Sequence, residues 1–240
     1  MQAVGFLTRK IQGSSKLSEA ELGMLDAVPM LVRDVGRDQD LVREGEHSPS
    51  CILLLEGFAC RYRTLSDGRR QIVSFHISGD FLDLQGFLLQ RLDHGIGTLT
   101  PSKIGLIPHS AIEDLLVSPM ITRFLWRETV IDGAIHREWL VNVGRRTAYQ
   151  RVAHVFCELV TRLQAVGLAR DGACDLPLTQ SELADATGLS TVHVNRVIQE
   201  LRRDGLITLR GRVFSALDWA GLKKAAEVDP NYLQLLSSRR

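Results

Sequence analysis

The segment from Leu178 to Ile207, LTQSELADATGLSTVHVNRVIQELRRDGLI, constrains the fold of this 240-residue chain more than any other stretch. Thr179 and Glu182 form a capping box, in which a hydroxyl and a carboxylate satisfy backbone N–H groups at the start of a helix. Gly188 favours the left-handed conformation that ends a helix, here after about eight residues. Ser190 is suited to cap a second helix. The pattern therefore predicts two short helices joined by a tight turn.

The second helix, about residues 190–203, divides its side chains between two faces. Its apolar residues recur at spacings of three and four and must face a core, whereas the opposite face carries hydrogen-bonding side chains. Two such helices satisfy the helix-turn-helix geometry, whose second helix enters the major groove of DNA. The residues expected to contact DNA here are Gln180, Ser190, Thr191, Val192, Asn195, Arg196, Gln199, Arg202, Arg210 and Arg212.

The side chains on the exposed face match the chemistry of base edges. Arg196 can pair with guanine O6 and N7, Asn195 can pair with adenine, and Val192 or the Thr191 methyl group can meet a thymine methyl group. The strands expected at 206–209 and 213–214 predict a wing, a hairpin with two arginines at its tip for phosphate oxygens. No enzyme chemistry needs this combination of residues.

The distribution of charge agrees with a DNA-binding C-terminal half. Residues 1–140 hold 15 Lys and Arg against 18 Asp and Glu, a net charge of −3. Residues 141–240 hold 14 against 10, a net charge of +4, so this half prefers anions such as nucleic acid phosphates.

Other sequence features indicate a cytoplasmic protein. The four cysteines lack the spacing of a zinc site or an iron–sulfur cluster, and they fit thiols in a reducing cytosol. The first residues, MQAVGFLTRKIQG, contain no apolar signal-peptide region. The longest apolar run, CILLL, is far shorter than the ~18 residues of a membrane span.

Residues 40–108 are divided by turns and lack a helical period. Gly45, Gly57, Gly68 and Gly79 recur every eleven or twelve residues, and alternating apolar and polar residues between them indicate short strands. This spacing favours a small antiparallel barrel or roll.

After Pro108 the periodicity predicts a long helix of about 24 residues, roughly 36 Å in length. Phe124, Ile131 and Ile135 occupy heptad core positions, so we expect part of the helix to pack on a second copy of the chain. The alternative is a helix that lies entirely on its own domain. The charge balance changes near Gly144, which places a boundary at about residues 142–145. The expected domains are a β-roll sensor (1–117), a dimerisation helix with a hinge (118–143) and a DNA-binding domain (144–240).

The chain resembles the CRP/FNR family of bacterial transcription regulators over nearly its whole length. The resemblance rests on TQSELADATGLSTVHVNRVIQELRRDGLI, REGE, LLLEGFACRY and LSDGRRQIVSFHISGDF, in the order of the family. It implies an α+β fold with a cyclic-nucleotide-binding-type antiparallel β-roll, a long dimerisation helix and a C-terminal winged helix-turn-helix. It also implies a homodimer that binds palindromic double-stranded DNA, with RNA polymerase as a further partner.

The family's base-contacting positions fall on Thr191, Val192, Asn195 and Arg196 of this chain. Arg196 keeps the arginine of the family. Thr191 and Val192 replace the arginine and glutamate, or the valine and glutamate, of well-known members. We therefore expect an operator that differs from the consensus of either member.

The effector pocket departs further from the family. Members that bind cyclic AMP follow GDF with a glycine and a glutamate, and later present an arginine to the cyclic phosphate. Here GDF continues as LDLQGF, and GIGT occupies the place of the Arg-Ser or Arg-Thr pair that supplies this arginine. A buried phosphate without a cation is costly, unless Arg91 substitutes, so we expect an absent or non-standard effector. The oxygen sensor's N-terminal cysteine cluster is also missing. The candidate pocket residues are Gly79, Asp83, Arg91 and Thr98.

Two other functions stay open on the sequence alone. A ligand-sensing roll with a decayed DNA-binding half would act through protein partners, although the arginines of the recognition helix and wing are intact. A cupin-like metal enzyme, or haem ligation, would need His76, His94 or His109, which lack a paired H-x-H spacing. We expect no enzyme activity and no cofactor. The small-molecule effector, if one acts, is of unknown identity.

Overall fold

A computed structural model describes residues 17–89 and 91–235. Within these limits the chain divides into two compact units. The first unit contains residues 17–61 and 76–133, and the second contains Tyr62–Phe75 and Ala134–Leu235. The prediction drawn from the first residues of the chain lies outside the described part.

The predicted roll consists of two sheets, whose strands belong to the first unit except for the part of β4 and β5 within Tyr62–Phe75. One sheet has the strand order β1-β7-β3, and the other has the order β2-β6-β4-β5. A 3-10 helix, Leu84–Phe87, follows β5. The strands are β1 (Leu31–Val35), β2 (Asp40–Val42), β3 (Ser50–Glu56), β4 (Phe58–Thr64), β5 (Arg70–Ile77), β6 (Gly95–Thr98) and β7 (Ser102–Pro108).

Strand β3 lies at the centre of this unit because both of its faces are buried. Side chains of a strand alternate between faces, and here Ile52 and Leu54 pack in the core between the sheets. Cys51 and Leu53 point the other way, into a second core formed with the helices. A strand covered on both sides reads as a continuous apolar run, which explains the sequence CILLL.

Helix α1 (Glu19–Asp26) precedes the first strand of the roll, and helices α2 (His109–Leu115) and α3 (Pro119–Arg145) follow its last strand. Helix α3 has 27 residues, close to the length expected from its periodicity. The boundary between the two units falls inside it, between Gly133 and Ala134.

The second unit holds the predicted helix-turn-helix and wing, so the predicted fold class is confirmed. Its sheet has the order β10-β11-β9-β8, and the short pair β8 and β9 extends the wing beyond the predicted hairpin. A 3-10 helix, Pro230–Leu233, follows the last helix. The elements are α4 (Ala148–Ala165), β8 (Ala169–Arg170), β9 (Ala173–Asp175), α5 (Gln180–Thr187), α6 (Thr191–Arg203), β10 (Ile207–Arg210), β11 (Val213–Ala216) and α7 (Trp219–Ala226).

Among the described residues, none of the helices combines the length and the apolar character needed to span a lipid bilayer.

Candidate nucleic-acid interface

The turn between α5 and α6 has the geometry that the sequence predicts. The Thr179 side chain accepts a hydrogen bond from the Glu182 N–H, and the Glu182 side chain accepts one from the Thr179 N–H. Gly188 ends α5 with φ +66°, in the left-handed region, and Ser190 caps α6 by accepting from the His193 N–H. These local contacts fix where the recognition helix α6 begins.

Helix α6 presents two distinct faces. Its buried side chains are Val194, Val197, Ile198 and Leu201. Its exposed side chains include the predicted base readers, and Val192 is 79% exposed although it is apolar. A well-exposed valine amid polar residues suits contact with a thymine methyl group. The exposed residues on this face are Thr191, Val192, Asn195, Arg196 and Gln199.

Two of these side chains make contacts within the motif. The Asn195 Nδ2 donates to the Oε1 of Gln180, the first residue of α5, at 3.1 Å. The Arg196 Nε lies 4.0 Å from the Glu200 Oε1, and the Arg196 side chain is 67% exposed. Arg196 therefore keeps its guanidinium accessible on the face of α6 that also holds Asn195.

The wing pairs β10 with β11 in antiparallel register, with Arg210 opposite Val213. Arg210 is exposed. The Arg212 guanidinium donates to the Asp175 carboxylate at 2.8 Å, so part of its charge is neutralised within the sheet. Arg202, in the last turn of α6, is half-buried.

Polar side chains from other elements bind the C-terminal end of α5. The Arg70 Nε donates to the Asp185 carboxylate at 2.8 Å, and the Gln71 Nε2 donates to the Ala186 carbonyl at 3.3 Å. The Arg151 Nη1 donates to the Thr187 carbonyl at 3.1 Å. The carbonyls at the end of a helix lack partners within the helix, and here side chains supply them. Arg70 and Gln71 come from β5, far away in sequence.

A buried polar network lies beneath the DNA-binding helices. The Glu158 carboxylate, 1% exposed, accepts from the Trp139 Nε1 at 3.0 Å, from the Tyr232 hydroxyl at 2.8 Å and from the Arg162 Nη1 at 3.3 Å. Arg162 also donates to the Phe75 carbonyl at 2.9 Å. Burial, followed by the Glu158 charge, raises the pKa of Tyr232.

The same network continues to the end of α3. The Glu138 Oε1 accepts from the Arg146 Nη2 at 2.6 Å and lies 3.5 Å from the His154 Nε2. The hydrogen bond from His154, followed by that from Arg146, lowers the pKa of Glu138 to about 2. The sequence analysis did not predict the buried contacts of Glu158 or those of Glu138. The one sequence signal for this network is that His154, Glu158 and Arg162 recur among the apolar residues of α4.

The four candidate pocket residues differ in their exposure and in their contacts. Gly79 adopts φ +94° in the turn after β5. The Thr98 hydroxyl donates to the Gly36 carbonyl at 2.7 Å. Arg91 is exposed, which gives no support to its substitution for the missing phosphate-binding arginine. Asp83 is fully buried.

The structure instead places Arg61, which the sequence did not single out, in the interior of the roll. Its Nε donates to the Leu82 carbonyl at 2.7 Å, and its Nη1 forms an ion pair with Asp132 of α3 at 2.6 Å. Its Nη2 donates to the Gln85 Oε1 at 3.3 Å, and the Gln85 Nε2 is 3.3 Å from the His94 Nε2. The buried cation of the roll is thus already paired with a carboxylate of the same chain.

Asp83 is a buried carboxylic acid beside this network. Its Oδ1 accepts from the Ile52 N–H at 2.5 Å, while its Oδ2 has no hydrogen-bond partner. Burial raises the pKa of Asp83 to about 6, against the opposing effects of the Ile52 N–H and the Arg61 charge.

This carboxyl predicts a pH dependence of stability. Because its pKa is raised on folding, the folded chain holds the proton more tightly, and stability is lost as pH rises from about 4 to about 6. We expect that the free energy of unfolding of Asp83→Asn will decrease less than that of the wild type over this pH range, by about 1–3 kcal/mol. Urea unfolding of both proteins at pH 4, 5, 6 and 7 measures the difference. Parallel pH profiles for the two proteins would contradict the prediction.

Helix α3 exposes a different apolar set from the one predicted for dimerisation. Phe124 is 3% and Ile135 8% exposed, and Phe124 belongs to the core formed by the roll and its helices. Ile131 is half-buried. Phe124 thus faces the core of its own unit, because a long helix must cover that core as well. The exposed apolar residues of α3 are Trp126, Val130, Leu140 and Val141.

The histidines considered for a metal or haem are enclosed by other contacts. His94 is bonded to Asp93 at 2.7 Å, and burial lowers the pKa of His76 to about 4. Across residues 17–89 and 91–235, no group of three or more histidine, cysteine or acidic side chains is arranged to hold a metal ion.

Comparisons with known proteins agree with this architecture. A model of the cyclic nucleotide-binding domain matches residues 32–118, and a model of the Crp-like helix-turn-helix domain matches residues 150–225. The nitrogen fixation regulation protein FixK of Bradyrhizobium diazoefficiens is 31% identical over 215 residues, which cover 88% of each chain. The transcriptional activator protein FnrL of Cereibacter sphaeroides is 27% identical over 202 residues, 82% of this chain and 80% of FnrL.

A solved structure shows the same fold. FixK2 from Bradyrhizobium japonicum superimposes with a TM-score of 0.75 at 24% identity, covering 84% of this chain and all of that one. A sensor-type roll, a long helix and a winged helix-turn-helix define a DNA-binding transcription regulator. The chain belongs to the CRP/FNR family.

Proposed function

We propose that this regulator acts as a homodimer on a two-fold symmetric DNA site, which it reads with helix α6 and the wing. The observation that carries the proposal is the exposed stripe Thr191, Val192, Asn195 and Arg196 on a helix whose opposite face is buried. These four residues lie at the positions where the resemblance to the family implies contacts with bases. The same proposal includes the DNA contacts expected of Gln180, Ser190, Gln199, Arg202, Arg210 and Arg212.

The proposed dimer rests on the exposed apolar side of α3. Trp126 is 73% and Val130 59% exposed, one helical turn apart in the first unit, and exposed large apolar side chains that lie together mark interaction sites. Two recognition helices on symmetric half-sites must lie about 34 Å apart. We retain the division into a roll (1–117), a dimerisation helix (118–143) and a DNA-binding domain (144–240).

We further propose that cyclic AMP is not the effector. Support comes from the Arg61 guanidinium, which is paired with Asp132, and from the exposed position of Arg91. A small molecule can change activity only if it binds one arrangement of the dimer better than another. The proposed partners are double-stranded DNA, a second copy of the chain and RNA polymerase. We propose a regulator without enzyme activity that works in the cytoplasm.

Selection of binding sites from random DNA tests the proposal. The full chain should enrich one symmetric sequence, and sedimentation of the complex should give two chains per duplex. Addition of cyclic AMP should leave the affinity unchanged. Failure to enrich any sequence would overturn the DNA-reading role, and one chain per duplex would overturn the dimer.

Replacement of Arg196 with alanine is expected to weaken binding to the selected site by about 1–3 kcal/mol, because a bidentate guanine contact is lost. The matched control is Arg33→Ala, which removes the same charge from an exposed position on β1. Titrations by fluorescence anisotropy measure both affinities. Equal losses for the two variants would show that the effect is one of net charge.

A further inference from the structure

The hydrogen bond between Gln180 and Asn195 joins the two helices of the motif at the DNA-facing surface. The two residues are 15 positions apart, and the Asn195 Nδ2 donates to the Gln180 Oε1 at 3.1 Å. Their separation is set by the helix crossing, where Ala184 and Val194 are buried, and by the left-handed Gly188. Gln180 is thus held at a fixed place beside the base-reading face of α6.

An asparagine amide can face a base in two ways. Adenine requires the oxygen to accept from the N6 amino group while the nitrogen donates to N7. A half-turn about the last side-chain bond exchanges the two atoms, and the reversed amide matches a different base pattern. An asparagine held in one orientation is therefore a more selective reader than one that turns.

We propose that Gln180 is a positioning residue that makes Asn195 selective for adenine. This inference rests on the proposed DNA-reading function. The Gln180 Oε1 accepts a hydrogen bond from the Asn195 Nδ2, which leaves the second hydrogen of Nδ2, together with Oδ1, for the base. Ordering the amide before DNA arrives also reduces the entropy lost on binding.

The effect is confined to one base pair in each half-site. Arg196 points from the next position of α6 and contacts Glu200, so it does not depend on Gln180. A variant of Gln180 should change the preference at the Asn195 position and leave the guanine preference of Arg196 intact. A residue that only supported the fold would lower affinity for all sequences alike.

The experiment selects binding sites from random DNA with the full-length chain and four variants: Gln180→Met, Gln180→Glu, Asn195→Ala, and Gln180→Met combined with Asn195→Ala. Methionine keeps the length of the side chain but removes the acceptor, so the preference for adenine should fall by about tenfold at one position. Glutamate still accepts from Asn195, so the preference should remain. Its added charge should weaken binding to all sequences alike, because it repels the phosphates.

The double variant separates positioning from direct reading. In the Asn195→Ala background, Gln180→Met should change the base preference no further. The proposal is overturned if Gln180→Met alone keeps the full adenine preference, or if it alters the preference when Asn195 is absent. A wild-type chain that enriches no sequence would overturn the proposed function instead. Thermal unfolding of each variant confirms that the exposed substitutions leave the fold intact.

Discussion

Replacement of Glu158 with glutamine is expected to lower the free energy of unfolding by about 3–5 kcal/mol. Its carboxylate accepts from Trp139, Tyr232 and Arg162, and glutamine would present an amide donor to one of these donors. The Arg162 charge, on a side chain only 9% exposed, would lose its paired anion. Urea unfolding followed by circular dichroism measures the loss.

The matched control is Glu56→Gln, which makes the same chemical change at an exposed ion pair. Glu56 is 67% exposed and lies 3.1 Å from the Lys103 Nζ. Surface pairs of this kind contribute less than about 1 kcal/mol. If the two variants lost equal stability, the buried network would contribute no more than an ordinary surface pair.

Replacement of Asp132 with asparagine should be comparably costly, again about 3–5 kcal/mol, because Arg61 would be left as a buried charge without its anion. The Arg61 side chain is 3% exposed and its Nη1 is 2.6 Å from the Asp132 Oδ2. Urea unfolding followed by circular dichroism measures the loss.

Asp40→Asn is the control for this second substitution. Asp40 pairs with Arg43 at 3.8 Å, and both side chains are well exposed. We expect its effect to stay below about 1 kcal/mol. A stable Asp132→Asn protein would mean that the Leu82 carbonyl and Gln85 suffice to hold Arg61.

The helix-turn-helix could be predicted closely because its signals are local. Thr179, Glu182, Gly188 and Ser190 act on backbone groups within a few residues, so the sequence alone specifies both helix starts and the turn. The spacing of glycines likewise specified the strands of the roll. In each case the physical cause lies inside a short window of the chain.

The buried charges could not be predicted in this way. Arg61 and Asp132 are 71 positions apart, and each by itself resembles a solvated residue on a strand or a helix. The burial of Phe124 could not be predicted for a related reason, since this residue fits both a heptad and the core of its own unit. Pairings between distant elements require the fold itself.

The segment Tyr62–Phe75 has a consequence for protein engineering. It is grouped with the DNA-binding residues, where the Phe75 ring packs edge-on against Trp139 at 5.6 Å and the Phe75 carbonyl accepts from Arg162. A fragment that begins within α3 would leave these partners uncovered. Chimaeras that exchange DNA-binding domains between regulators of this type should therefore include the β4–β5 hairpin with the C-terminal domain, because the second compact unit is discontinuous in sequence.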